Sequence, residues 1–248
     1  MKPRLGKSLR QLALVSGAGT RLGALLAKGL GEAGVDVALH CNHSTRGAHA
    51  LARRLRRQGV RAEVFVANFE ELSAPKQLTQ EVCTQMGVPN ILVHNAAVMD
   101  GRVFEETSAE CLERLWRVNV RAAFLLSQQL AAPMRQRGGG HILHVLDIAG
   151  VSQTWNGYAA YAMTKAALAQ LCRSLARELA PKLRVNGIAL GLVLPSEGIS
   201  SKAEARLVSK IPMKEKVSPR AVVEAMFFLL SNVSMTGHIL VLDGGRSL

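Results

Sequence analysis

The chain predicts an α/β fold: one doubly wound parallel sheet of about seven strands with helices on both faces. Three observations carry this. Short apolar runs alternate with amphipathic stretches from one end to the other, the pattern of strands and crossover helices. Of the residues, 48% are apolar and only 20% charged, enough for a sizeable core and against disorder. No internal repeat, low-complexity linker or change of composition divides the 248 residues, so residues 1–248 read as a single domain.

Taken in order, Leu12–Val15 runs straight into a glycine turn and reads as the first core strand, not as the apolar part of a signal segment behind the basic Met1–Arg10. A helical pattern over Arg21–Ala33 follows, then a strand over Asp36–His40, a helix over Thr45–Gln58 and a strand over Arg61–Val66. Ser73–Met86 is the next helix and Ile91–Val93 the fourth strand. One long helix is expected over Ala109–Arg135, closed by Gly138-Gly139-Gly140 and leading to a strand over Ile142–Val145. Tyr158–Leu179 (helix), Arg184–Leu190 (strand), Pro219–Leu230 (helix) and His238–Leu242 (strand) complete the alternation. Between them, Gly191–Val217 lacks a strong pattern. It follows a strand, so it should lie over the carboxyl edge of the sheet as a substrate loop.

Composition excludes several functions. The longest apolar runs, such as Ile188 to Leu194, are too short to span a membrane. Net charge is +13, yet Arg53, Arg54, Arg56 and Arg57 cluster on one solvated helix, and aromatics are only 4% of the chain. A basic stripe interleaved with aromatics is missing, so no nucleic-acid partner is expected; recruitment of an anionic ligand such as a phosphorylated cofactor fits better. Cys41, Cys83, Cys111 and Cys172 are isolated, with no CxxC pair, and read as buried thiols, not as disulfides or metal ligands. A soluble cytoplasmic protein with a small-molecule substrate is the expectation.

The chemistry is carried by a few short motifs. Tyr161 and Lys165 lie four residues apart on one helix face, and an ammonium beside a phenol favours the phenolate. That spacing predicts a general acid/base pair working near neutrality. Near the N-terminus, Gly17-Ala18-Gly19-Thr20-Arg21-Leu22-Gly23 is a tight strand-to-helix turn whose exposed N–H groups suit a pyrophosphate. A site for the unphosphorylated dinucleotide wants an acidic residue after the second strand, but none occurs from Val37 through Val60. His43, Ser44, Arg46 and Arg21 could instead surround a 2′-phosphate, so NADPH is expected. His94-Asn95-Ala96-Ala97 ends the fourth strand with small residues against which a ribose could lie, and Asn119 interrupts an otherwise apolar helix.

Together these residues resemble the short-chain dehydrogenase/reductase family, whose Rossmann-like fold the whole chain would share. The family's catalytic tyrosine, lysine and helix asparagine match Tyr161, Lys165 and Asn119; its cofactor turn matches Gly17 to Gly23, its Asn-Asn-Ala-Gly segment His94 to Ala97, and its Asp-Gly-Gly the residues Asp243-Gly244-Gly245. Within the family the chain is most similar to pteridine reductases and dihydromonapterin reductases. Arg21 sits where most members carry glycine, and Asp147 occupies the slot of the usual catalytic serine. Those reductases usually hold the pterin against an aromatic just after the Asn-Ala segment; here Val98 and Met99 stand there.

The resemblance implies catalysis by Tyr161, Lys165, Asp147 and Asn119. Lys165 would lower the tyrosine pKa and bind the nicotinamide ribose, Asn119 would hold a water linking Lys165 to solvent, and Asp147 would orient the substrate. NADPH would be held by Gly17, Gly19, Arg21, Leu22, Gly23, His43, Ser44, Asn68, Asn95, Ala96, Lys165 and Gly191. The substrate would meet Arg21, Met99, Asp147 and Tyr161; no metal is implied. Reduction of a dihydropterin is the leading expectation, a carbonyl reductase of the 3-oxoacyl or polyketide-tailoring type the alternative, and a non-catalytic NADP(H) sensor the second. The family commonly forms tetramers through its long helices, so a homotetramer is implied.

Overall fold

Strands β1 (Leu12–Val15), β2 (Asp36–Cys41), β3 (Ala62–Val66), β4 (Ile91–His94), β5 (Gly140–Asp147), β6 (Leu183–Leu190) and β7 (Ile239–Leu242) alternate with helices. The helices are α1 (Arg21–Glu32), α2 (Thr45–Arg57), α3 (Ala74–Gln85), α4 (Ala109–Trp116), α5 (Ala122–Gln136), α6 (Ala159–Leu179), α7 (Ser201–Ser209) and α8 (Pro219–Ser231). The computed structural model describes residues 11–195 and 198–248, so the basic segment 1–10 lies outside the described residues. Among them the strands form one sheet in the order β3-β2-β1-β4-β5-β6-β7, every pairing parallel.

The order dictates where a ligand can sit. From β1 the sheet grows through β2 to β3, then returns to the other edge of β1 and grows through β4 to β7. The connections leave β1 and β4 in opposite directions, and a crevice opens beyond their carboxyl ends.

Alternation along β1 sends side chains to two separate cores. Ala13 and Val15 join Leu26 and Leu30 of α1, Leu55 of α2, and Val222, Met226 and Leu229 of α8. Leu12 and Leu14 join Leu78 and Val82 of α3, Leu126, Leu130 and Met134 of α5, and Leu179 of α6. Each such leucine removed from water stabilises the fold by roughly 1.5–3 kcal/mol. All four cysteines are free thiols, with Cys41 and Cys172 buried.

Two elements differ from the sequence expectation. The single helix expected over Ala109–Arg135 is broken: α4 ends at Trp116, and a π-helical turn over Arg117–Arg121 precedes α5. The cause is Asn119, whose side chain is pulled out of the helix to partners on other elements, and such insertions widen a turn and kink the axis. The region 191–217 also carries helix α7, capped by Ser200, whose Oγ accepts from Ala203 N at 3.2 Å. No residue of α7 is buried, so no apolar stripe announced it.

Candidate active site

The β1–α1 turn is built around Ser16. Its Oγ accepts from the main-chain N–H groups of Asn95 and Ala96, both at 3.0 Å, which ties the ends of β1 and β4 together. Asn95 answers by donating from Nδ2 to the carbonyls of Ser16 and Gly17, at 3.0 and 3.1 Å. Glycine is required here by the protein itself. Gly17 is left-handed (φ 67°), and a Cβ on it would lie 2.9 Å from Ala96 Cα. A Cβ on Gly19 would lie 2.5 Å from Ser44 O. The helix behind the turn has no side-chain cap at Thr20 and no acidic residue in its first turn, leaving its N-terminal N–H groups for an anion.

A cleft of about 380 Å³ opens at this turn, bounded by the ends of β2, β3 and β4. It fits a dinucleotide. Gly17, Gly19 and Gly23 line one end, and Asn42, His43, Ser44 and Asn68 the other. Glu70 is the one carboxylate among its lining residues, and Arg114 pairs it at 3.0 Å. The floor is His40, buried at the end of β2 and stacked on Phe69 with ring centroids 4.1 Å apart. Gly17 N donates to its Nδ1 at 3.2 Å, so the ring proton sits on Nε2 and reaches Ala67 O at 3.0 Å. Burial pushes the His40 imidazole down to about 4, holding it neutral.

Asp147, Tyr161 and Lys165 converge beyond the carboxyl end of β5. Tyr161 Oη donates to Asp147 Oδ2 at 3.0 Å, and Asp147 Oδ1 accepts from Ala149 N at 2.8 Å. Lys165 Nζ donates to Val145 O at 3.1 Å and lies 5.7 Å from the centroid of the Tyr161 ring. All three groups are largely buried. Burial, reinforced by the Asp147 carboxylate, holds the Tyr161 phenol well above its ordinary range. Burial brings the Lys165 ammonium down to about 8, partly offset by Asp147, and raises the Asp147 carboxyl against its hydrogen bonds.

The net shift differs from the expected one: burial and the Asp147 carboxylate at the hydroxyl outweigh the pull of the Lys165 ammonium, which lies farther off, over the ring. Tyr161 is a held acid.

The side chain of Asn119 is engaged within the protein. Both its amide protons go to Val98 O (2.9 Å) and Thr164 Oγ1 (3.0 Å), and its Oδ1 accepts from Val98 N (2.8 Å). Its side chain fastens the segment after β4 to α6 and makes no bond to Lys165. Arg21, expected at a 2′-phosphate or at the substrate, lines the cleft, and its Nη2 also donates to the carbonyls of Leu194 (3.1 Å) and Pro195 (2.8 Å).

Of the other expected cofactor residues, Leu22, Asn68 and Ala96 line the cleft beside the glycines. Gly191 does not: its N–H pairs with Leu242 O at 2.8 Å, and a Cβ on it would meet Asp243. Met99 is half exposed beyond the cleft. Sequence reasoning missed Ser16, His40, Phe69 and Arg114. Only Ser16, adjoining the glycine turn, carried a local signal.

A crevice at the switch point of a doubly wound sheet, beside a buried Tyr-x-x-x-Lys pair, defines a dinucleotide-dependent oxidoreductase. The family model described as Enoyl-(Acyl carrier protein) reductase matches residues 17–247. The 7alpha-hydroxysteroid dehydrogenase of Escherichia coli is 30% identical over 241 residues, 94% of this chain and 92% of that protein. A 3-oxoacyl-[acyl-carrier-protein] reductase of Staphylococcus epidermidis is 26% identical over 96% of this chain and 99% of its own. The crystal structure of FolM alternative dihydrofolate reductase 1 from Brucella canis, complexed with NADP, superposes with a TM-score of 0.90 at 28% identity, over 96% of this chain and 94% of that one. The chain belongs to the short-chain dehydrogenase/reductase family and is an oxidoreductase.

Proposed function

We propose that the chain uses NADPH to reduce a pterin, converting a dihydropterin to a tetrahydropterin, with Tyr161 as proton donor. The observation that carries this is the 3.0 Å hydrogen bond from Tyr161 Oη to Asp147. A carboxylate in the place of the family's serine keeps the phenol protonated and can orient a pterin by accepting from its ring N–H groups, whereas a serine hydroxyl would polarise a ketone. The likeness to a protein described as an alternative dihydrofolate reductase supports the same substrate class, since dihydrofolate contains a dihydropterin ring.

NADPH is supported by the cleft end at Asn42, His43 and Ser44, which offers no unpaired carboxylate to repel a 2′-phosphate. Gly17, Gly19, Leu22 and Gly23 would hold the pyrophosphate, Asn68, His43 and Ser44 the adenosine half, Asn95 and Ala96 the nicotinamide ribose, and Lys165 would bind the hydroxyls of that ribose. Bound there, the reduced nicotinamide supplies a hydride. The chain's own part is the proton: Tyr161 releases it from Oη to the substrate, Lys165 offsets the phenolate left behind, Asp147 orients the ring, and a proton taken up from solvent restores the phenol. Exposed Trp116, Phe124 and Met163 on α4, α5 and α6 support a homotetramer through the long helices, and four free thiols support a cytoplasmic setting.

The test is NADPH oxidation at 340 nm with dihydrobiopterin, biopterin and a 3-oxoacyl thioester, comparing wild type with Tyr161→Phe and Asp147→Ser. Pterin turnover that falls by about 10²–10⁴ in Tyr161→Phe and is lost in Asp147→Ser is the expected result. A second reading, a 3-oxoacyl carbonyl reductase, is favoured by exposed Met99 where pterin-binding relatives would present an aromatic. Turnover of the thioester alone, kept or improved in Asp147→Ser, would establish that reading instead.

A further inference from the structure

The adenosine end of the cleft holds one carboxylate and one cation that the reaction itself leaves unused. Strands β2 and β3 end level, with Cys41 opposite Val66, so the loops that follow them are neighbours. Glu70, in the second of these loops, is the single carboxylate among the residues lining the cleft. It is held at three points. Its N–H donates at 3.1 Å to Asn68 Oδ1, which also accepts from Asn42 Nδ2 at 3.3 Å. Its carbonyl accepts from Arg121 Nη2 at 2.9 Å, and its Oε1 accepts from Arg114 Nε of α4 at 3.0 Å. Arg114 also lines the cleft; the other lining cation, Arg21, belongs to the glycine turn. The Glu70 and Arg114 side chains are 41% and 49% exposed. An ion pair so exposed adds little to stability, so its consequence lies in the charge it presents to the cleft.

We propose that Arg114 is a specificity-determining residue for the cofactor: it masks the Glu70 carboxylate and so keeps this end of the cleft open to a 2′-phosphate. A bare carboxylate at the strand ends accepts from ribose hydroxyls and repels a phosphate; neutralised by a guanidinium, it does neither. Selectivity for the phosphorylated dinucleotide then depends on an ion pair outside the loop after β2, and the cleft carries within it the group that would reverse the preference. This rests on the NADPH reading above and names what maintains it. The charges act on one another partly through solvent, so the effect is moderate in size and sensitive to salt.

The test measures Kd for NADPH and for NADH by titration calorimetry, with Tm as the control of folding. It compares wild type with Arg114→Ala, Arg114→Lys, Glu70→Gln and the Arg114→Ala/Glu70→Gln double variant. In Arg114→Ala the NADPH Kd should rise about 3- to 10-fold while the NADH Kd stays level or falls. Arg114→Lys keeps the charge and should keep the wild-type ratio of the two constants. Glu70→Gln alone should leave the NADPH Kd level or lower. The double variant should recover most of the ratio, because the carboxylate that Arg114→Ala uncovers is gone. In roughly 1 M salt, where the Debye length is about 3 Å, the difference between Arg114→Ala and wild type should shrink.

An unchanged ratio in Arg114→Ala, or equal weakening of both dinucleotides, would overturn the proposal. So would a double variant as impaired as Arg114→Ala, which would show Arg114 acting on the phosphate itself. Should wild type bind NADH the more tightly, the NADPH reading falls, and the masking stands only if Arg114→Ala still moves the ratio toward NADH. Should wild type bind neither dinucleotide, both are refuted.

Discussion

Two groups of buried ionisable side chains share strand β5, and they behave oppositely. His141 and His144, with His94 beside them on β4, have several ring nitrogens that meet nothing: His94 Nδ1, His141 Nδ1 and both nitrogens of His144 lack partners. The His94 and His144 rings pack with centroids 4.7 Å apart. Burial drives His141 and His144 down to about 3, leaving neutral rings that serve as core. Three residues further along, Asp147 is buried as well but has a phenol, a main-chain N–H and a nearby ammonium. Burial alone expels charge. Burial with partners keeps a proton where a substrate can take it.

Acid should break this contrast most severely. The depressed histidines, His40, His94, His141 and His144, stay neutral in the fold but take up protons when unfolded, below about pH 6.5. The unfolded chain then binds more protons, so stability falls as pH drops from 6.5 toward the folded values near 4 and 3. Each contributes up to roughly 1.4 kcal/mol per pH unit, and urea midpoints measured from pH 7 to pH 4 should drop steeply.

Next in size, Asn119→Ala removes one buried and two partly buried hydrogen bonds and leaves the Val98 main chain without its Asn119 partners. A loss of about 2–4 kcal/mol in urea unfolding is expected, and a loss under 1 would mean that the π turn stands without its side chain.

Asp147→Asn sharpens the comparison from the catalytic side. It removes the charge that raises both Tyr161 and Lys165, so both groups lose their protons at lower pH. The basic limb of the kcat/KM profile should move down by about one pH unit. An unmoved limb would show that burial alone holds the phenol.

The smallest effect should be a gain. His144→Leu replaces two unpartnered nitrogens by apolar volume, and stabilisation of about 1 kcal/mol, visible as a higher Tm, is expected with activity retained.

What could be read from the sequence follows from this same division between local and distant causes. Leu12–Val15 and the glycine turn were legible because a central parallel strand is apolar throughout and its turn needs small residues wherever they occur. Tyr161 and Lys165 were legible because helical spacing alone puts them together. The break at Asn119 was not, since its cause is Val98, 21 residues away. The sign of the Tyr161 shift was missed for a related reason: spacing gives neighbours on one helix, whereas the dominant neighbour, Asp147, arrives from a strand. Helix α7 was hidden because it buries nothing.

Arg21 is left-handed at φ 50°, a conformation that costs a non-glycine residue about 1–2 kcal/mol, and its guanidinium is bonded to the two carbonyls that follow β6 and the Gly191 corner. Mechanically it is a tie rod. The first residue of α1 and the segment that follows β6 are joined by it, so the glycine turn and the start of the loop beyond Gly191 are held to each other across 173 residues of chain.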